Sequence, residues 1–296
     1  MNYKNILQTI GNTPIVELKS YSLNPNVRIL AKLEGNNPGG SIKDRIALFM
    51  INDAKKDGLL NGKKAIIEAT SGNTGIGLAM ISAILGYQFV AVMPESVSIE
   101  RRKLLLAYGA KIILTDGAKG TNYAIEVARQ LVIKHPKDYI ALDQFTNRAN
   151  VRAHYETTGA EIIRDVPQIT HFVAGMGTGG TLMGVGKRLK EFNAKTQIVG
   201  IEPMADSKIQ GLRNMTAYNP PIYKESALDK KLIISSDDLA FELARGLFRK
   251  EGISVGISSG AALWGAMEVA KTIKRGVVVT IFPDRGDKYL STTLFP

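Results

Sequence analysis

Residues 65–85 read AIIEATSGNTGIGLAMISAIL, a complete strand-to-helix junction in one run. The opening residues 65–68 are short and apolar, as expected of a strand buried on both faces. From Thr74 to Leu85 the apolar spacing becomes helical, and Gly86 stands where a carboxyl-terminal cap belongs. Between them lies Thr70-Ser71-Gly72-Asn73-Thr74-Gly75, six residues each able to contribute a hydrogen-bond donor. The amides of a first helical turn have no partner inside the helix, and the helix dipole adds positive potential there. This loop therefore reads as an ordinary capped turn or as a site for a carboxylate held without a formal cation. Its donors are denser than a turn needs.

The same alternation runs along most of the chain. Strand-like runs at 89–93, 111–115, 171–174, 197–202 and 277–282 alternate with helical patterns at 98–108, 121–134, 180–192, 237–250 and 261–274. Gly109 takes a carboxyl-terminal capping position and Ser236 an amino-terminal one. Such a chain requires right-handed β-α-β crossovers, so the fold class is α/β with mostly parallel sheets covered by helices. The least regular stretch, 203–231, contains Pro220-Pro221 and reads as a long functional loop. No composition shift marks a domain boundary.

Composition removes several chemistries. The 296 residues contain no cysteine, which excludes disulfides, thiolate metal sites and a cysteine nucleophile together. Three histidines, His135, His154 and His171, form no metal-binding spacing. The 38 basic residues outnumber the 27 acidic ones for a net charge of +11. The excess is scattered in short clusters on helical segments, with no basic tail or aromatic string, so neither a nucleic-acid nor a membrane partner is expected. The amino-terminal residues lead into no long apolar run, and the expected location is the cytoplasm.

A second glycine-rich loop, Gly175-Met176-Gly177-Thr178-Gly179-Gly180-Thr181, also joins a strand to a helix. Its glycines let successive amides approach an anion such as a phosphate. It also fits the dinucleotide fingerprint, with Glu202 closing the next strand, so a nicotinamide-dependent dehydrogenase stands as the rival reading. Against that rival stands Asn37-Pro38-Gly39-Gly40-Ser41-Ile42-Lys43-Asp44-Arg45, where Lys43 begins a helical pattern. A lysine there is either a solvated charge or, facing an unfavourable dipole, an amine tuned for Schiff-base and proton chemistry. A phosphate nest, a carboxylate loop and such a lysine together suit pyridoxal phosphate with an amino-acid substrate.

Through these residues the sequence resembles the cysteine synthases, or O-acetylserine sulfhydrylases, of the fold-type II, tryptophan-synthase-β-like pyridoxal-phosphate enzymes. The likeness runs from Ile10 nearly to the last residue, through NPGGSIKDR, TSGNTGIGLA, MPESVSIERRKLLLAYGA, DQF, GMGTGGT, GISSGAA and RGDKYLS. The resemblance implies that Lys43 holds the cofactor and takes the Cα proton, and that Asn73 binds its ring oxygen. It gives the substrate carboxylate to Thr70, Ser71, Asn73, Thr74 and Gln144. The cofactor phosphate goes to Gly177, Thr178, Gly179, Gly180 and Thr181, and Ser258 faces the ring nitrogen. It further implies β-replacement through aminoacrylate, giving cysteine from an activated serine and a sulfur donor. The implied protein is a homodimer with a larger domain (residues 1–37 and 150–296) and a smaller mobile one (38–149). Serine acetyltransferase or a sulfur-carrier protein is an implied partner.

The subtype is mixed. Ser207-Lys208-Ile209-Gln210-Gly211 resembles the A isozyme, whereas Asp284-Arg285-Gly286-Asp287 and Arg213 resemble the B isozymes and the phosphoserine-using sulfhydrylases. Arg213 suits a phosphate or an anionic sulfur donor, so O-acetylserine and O-phosphoserine both stay open. Cystathionine β-synthase shares two of the motifs but carries an appended module. Serine or threonine dehydratases usually have histidine where Thr74 stands.

Overall fold

The structure is a computed structural model that describes residues 2–22, 24–60, 62–70 and 72–295. The chain opens with β1 (Ile15–Glu17) and β2 (Val27–Leu33), then α1 (Lys43–Lys56). It next builds β3 (Ala65–Ala69), α2 (Asn73–Leu85), β4 (Phe89–Pro94), α3 (Ile99–Ala107) and β5 (Lys111–Thr115). After α4 (Gly120–Lys134) and β6 (Tyr139–Ala141), α5 (Arg148–Ala153) passes through a π-helical turn, His154–Thr158, into α6 (Gly159–Asp165). The remainder is β7 (His171–Gly175), α7 (Gly180–Phe192), β8 (Gln197–Pro203), β9 (Lys230–Ile234), α8 (Asp237–Glu251), α9 (Ile257–Thr272) and β10 (Gly276–Phe282).

Two sheets result, ordered β1-β2-β10-β7-β8-β9 and β5-β4-β3-β6. Among the described residues every pairing between these strands is parallel except β1 with β2. The smaller sheet is built wholly from the chain between β2 and β7. The α/β reading therefore holds, and six expected strands and six expected helices appear within a few residues of their sequence positions. The largest shift is α9, which begins at Ile257 and so takes Ser258 into its first turn.

Parallel strands buried on both faces alternate which core they feed. Ile29, Ala31, Val173, Val199, Ile201 and Val278 pack toward α8 and α9, with Phe241, Ala244 and Leu263. Their neighbours Leu30, Phe172, Ala174, Ile198, Val277 and Val279 pack toward α6 and α7, with Ile162, Leu182 and Val185. In the smaller sheet Ile66, Phe89, Ala91 and Met93 meet α1 and α2, while Ile67, Val90 and Val92 meet α4. Among the described residues no helix is long and apolar enough to cross a membrane.

A polar cluster beside the larger sheet interrupts this apolar interior. Lys32 on β2, Glu34 beyond it, Arg45 on α1 and Glu161 on α6 are all buried. Arg45 holds Glu34 at 2.7 Å and Glu161 at 2.6 Å, and Lys32 holds Glu161 at 2.8 Å. Thr13 donates to Glu34 at 2.6 Å. Two cations thus meet two carboxylates, and the helix that begins at Lys43 is bolted to the larger sheet.

Candidate active site

A cavity of about 500 Å³ is bordered by Thr70, Pro94, Gly175, Pro203 and Pro283, residues at or just past the carboxyl ends of β3, β4, β7, β8 and β10. Ligands in open parallel sheets bind at such strand ends. Helices α1, α2, α7 and α9 begin at this cavity, and no side-chain hydrogen bond caps them at Ile42, Gly72, Gly179 or Gly256. Four sets of amides and four positive dipole ends therefore favour anions here.

Lys43 is the first residue of α1 and lines the cavity. Among the described residues its Nζ makes no hydrogen bond or ion pair. Burial pulls its pKa below the ordinary lysine value, while the charges of Asp284 and Glu34 pull the other way. Lowering the pKa favours the neutral amine, the form that acts as nucleophile and base.

The TSGNTG loop serves partly to hold itself. Thr70 Oγ1 accepts from the amides of Gly72 at 3.2 Å and Gly75 at 3.0 Å, so this hydroxyl shapes the loop. Thr74 Oγ1 donates to Gln144 Oε1 at 2.6 Å, which brings the two halves of the expected carboxylate site together. Gln144 in turn is fixed by Glu68, whose carboxylate accepts from the amides of Asp143 at 2.9 Å and Gln144 at 3.0 Å. Asp143 has a φ of 49°, an uncommon conformation for a residue with a side chain. Ser71 lies outside the described residues.

Gly177, Thr178, Gly179 and Thr181 line the opposite side, and Gly180 is buried beside them. A Cβ on Gly180 would sit 1.9 Å from Asn150 Oδ1, and one on Gly177 would sit 2.7 Å from the Gly211 carbonyl. Asn150 Nδ2 donates to Thr178 Oγ1 at 3.0 Å, and Thr181 Oγ1 lies 3.3 Å from His154 Nε2. Side chains one helical turn apart thus back the two threonines of this loop.

Ser258 also faces the cavity. Arg213 lies in the cavity wall, its guanidinium 4.9 Å from the ring centres of both Phe145 and Tyr218, with Nη1 donating to Asn122 at 3.0 Å. The loop 203–231 supplies much of this wall, including Ser207, Gln210 and Asn214. Glu202, which the dinucleotide reading needs for a ribose, accepts from the Met215 amide at 2.6 Å and pairs with Lys231 at 3.2 Å. It is not part of the cavity wall.

Sequence reading missed Asn150, Glu68, Arg45, Asp284 as a partner of Asn73, and Lys288. For Arg45 a signal is visible in its partners, the charges Lys32 and Glu34 at the end of an otherwise mostly apolar run. The rest are contacts between residues distant in sequence.

The family model described as "Pyridoxal-phosphate dependent enzyme" matches residues 6–284, and the chain belongs to that family. "Cysteine synthase" of Aquifex aeolicus is 48% identical over 99% of this chain and 92% of the relative. "Cysteine synthase B" of Salmonella typhimurium is 47% identical over 97% of this chain and 95% of its own length. The solved structure of cysteine synthase from Entamoeba histolytica superposes with a TM-score of 0.94 at 37% identity, covering 100% of this chain and 91% of that one.

The residues present fit that cofactor. An amine without a partner among the described residues suits its aldehyde, and a helix start whose cap residue is glycine, with a cradle that a Cβ would fill, suits its phosphate. Thr178→Val removes the hydroxyl that joins Asn150 to the Gly180 amide. Loss of one or two hydrogen bonds weakens cofactor retention roughly tenfold. Equilibrium dialysis followed by absorbance checks this, with circular dichroism verifying the fold.

Proposed function

We propose that this enzyme makes L-cysteine by β-replacement, exchanging the leaving group of an activated serine for sulfur. The observation that carries the reading is the uncommitted Lys43 amine facing the same cavity as the Thr74–Gln144 pair and the glycine cradle. When bound, pyridoxal phosphate supplies an electron sink that lets a Cα–H bond and a Cβ–O bond break. Lys43, Asn73 and Ser258 would hold its ring end, and residues 177–181 its phosphate.

The chain's own residues do the rest. Thr70, Asn73, Thr74 and Gln144 orient the substrate carboxylate, and α2's first amides neutralise it. Lys43, its pKa lowered by burial, takes the proton from the substrate's α-carbon. Ser258 gives the ring nitrogen a neutral partner, which favours prompt loss of the leaving group over a long-lived carbanion. Purified enzyme with O-acetylserine and sulfide should yield cysteine by a thiol assay. Serine dehydration to pyruvate with no cysteine would refute the proposal.

Arg213 supports the finer reading that O-phosphoserine is a substrate. Its guanidinium, stacked on Phe145 next to Gln144, presents N–H groups at the cavity. Arg213→Ala should lower kcat/KM for O-phosphoserine about 10- to 100-fold, the worth of hydrogen bonds to a charged group. The value for O-acetylserine should barely change. Equal losses on both would remove this assignment.

The division into residues 1–37 with 150–296 and a mobile unit 38–149 is part of the same proposal. Sheet membership supports it, and the Arg45 contacts with Glu34 and Glu161 make the start of α1 the fixed end of that unit. Closure would exclude water during the exchange. The reading also proposes a cytoplasmic homodimer that meets serine acetyltransferase or a sulfur-carrier protein. Light scattering of the purified enzyme tests the dimer.

A further inference from the structure

Another lysine, Lys288, lies buried behind the site, and no step above employs it. Lys288 Nζ donates to the carbonyls of Gly39 at 2.9 Å and Gly40 at 3.0 Å, and to Asn73 Oδ1 at 3.0 Å. An ammonium has three N–H donors and accepts nothing, so these three oxygens occupy it fully. Unlike Lys43, it has no free valence for a carbonyl compound.

That geometry determines which way the Asn73 amide points. The atom facing an ammonium must be the oxygen, so the nitrogen faces the other way. There Asn73 Nδ2 donates to Asp284 Oδ2 at 2.6 Å, and Tyr289 donates to the same oxygen at 2.7 Å. Asp284 as acceptor and Lys288 as donor demand the same orientation. Asn73 lines the cavity, and its second Nδ2 hydrogen is the one left to face a bound group. We propose that Lys288 is a positioning residue that locks the Asn73 amide, so that the site presents an N–H donor and never a carbonyl at this point.

The consequence rests on the reading that pyridoxal phosphate is held at Lys43 with its ring oxygen toward Asn73. A fixed donor favours the ionised ring oxygen, and an acceptor would favour the protonated one. The bound cofactor reports this difference as the share of its visible band relative to its near-ultraviolet band.

The test compares spectra of the purified holoenzyme with those of Lys288→Met and Lys288→Arg. With the ammonium gone the Asn73 oxygen loses its donor and only the Asp284 carboxylate still favours this orientation, so part of the lock is lost and the visible share should fall measurably below that of wild type. Lys288→Arg, still a donor only, should retain most of it. Should Lys288→Met not fold, Lys288→Gln tests the same point, because its amide donates or accepts equally. Coloured wild-type enzyme tagged on Lys43 after borohydride, together with an unchanged methionine (or glutamine) spectrum, overturns the inference alone. Equal changes in the methionine and arginine variants also overturn it, since that marks lost packing. Colourless wild-type protein overturns the cofactor reading and the inference with it.

Discussion

Lys43→Ala will leave a folded protein whose cysteine-forming rate is lower by at least about 10³-fold, since both covalent capture and α-proton transfer lose their only agent. The fold will survive because the lysine contributes no pairing. Its amine has no partner among the described residues, and burial disfavours its charged form. Alanine removes that desolvation cost, so the urea midpoint of the apo-protein should equal or exceed that of wild type. Borohydride reduction followed by peptide mass mapping should find the cofactor mass on Lys43 in wild type and nowhere in the variant. Turnover within tenfold of wild type would sink the assignment.

Arg45→Met will have the opposite profile, a large loss of stability. The substitution leaves Glu34 and Glu161 buried against the single charge of Lys32. Breaking a buried pair in this way costs about 3–5 kcal/mol, because one carboxylate stays uncompensated. Urea unfolding of the apo-protein reads the change, and a loss below about 1 kcal/mol would show that the cluster is dispensable. Acid will act on the same cluster. Hydrogen bonds and charges from Arg45 and Lys32 outweigh burial and hold Glu161 at about 2, against an ordinary value of 4.5. A carboxyl lowered by folding stabilises above its unfolded pKa, so this contribution is full above about pH 4.5 and disappears as pH falls toward 2. Glu161→Gln should flatten that part of the acid unfolding curve.

Much of this molecule is legible in its sequence because the informative signals are local. Strand-loop-helix junctions such as 65–85 and 171–192 carry their own periodicity and glycines, and both loops open onto one cavity as expected. What is illegible depends on residues far apart in the chain. Strand β2 hides because Arg28, Lys32 and Glu34 break its apolar pattern; the last two are buried only because Arg45 and Glu161 meet them. Strands β1 and β6, three residues each, are too short for a period to register. Asn150 bears no motif of its own, and Lys288 lies in RGDKYLS without a role readable there; their tasks exist only once Thr178 and Asn73 are placed beside them. Arg213 is readable as a candidate anion partner, but its seat between Phe145 and Tyr218 is not, since those rings lie 68 and 5 residues away in the chain.

The position of β10 between β2 and β7 bears on how the chain is born. The smaller sheet uses one continuous stretch and can assemble as soon as β6 has emerged from the ribosome. Strand β2, by contrast, waits for a partner roughly 250 residues later, an interval of roughly 12–50 s at the usual 5–20 residues per second. Throughout that time one edge of β2 has no strand to pair with, an open edge of the kind that invites aggregation, so truncations that remove β10 are expected to be insoluble.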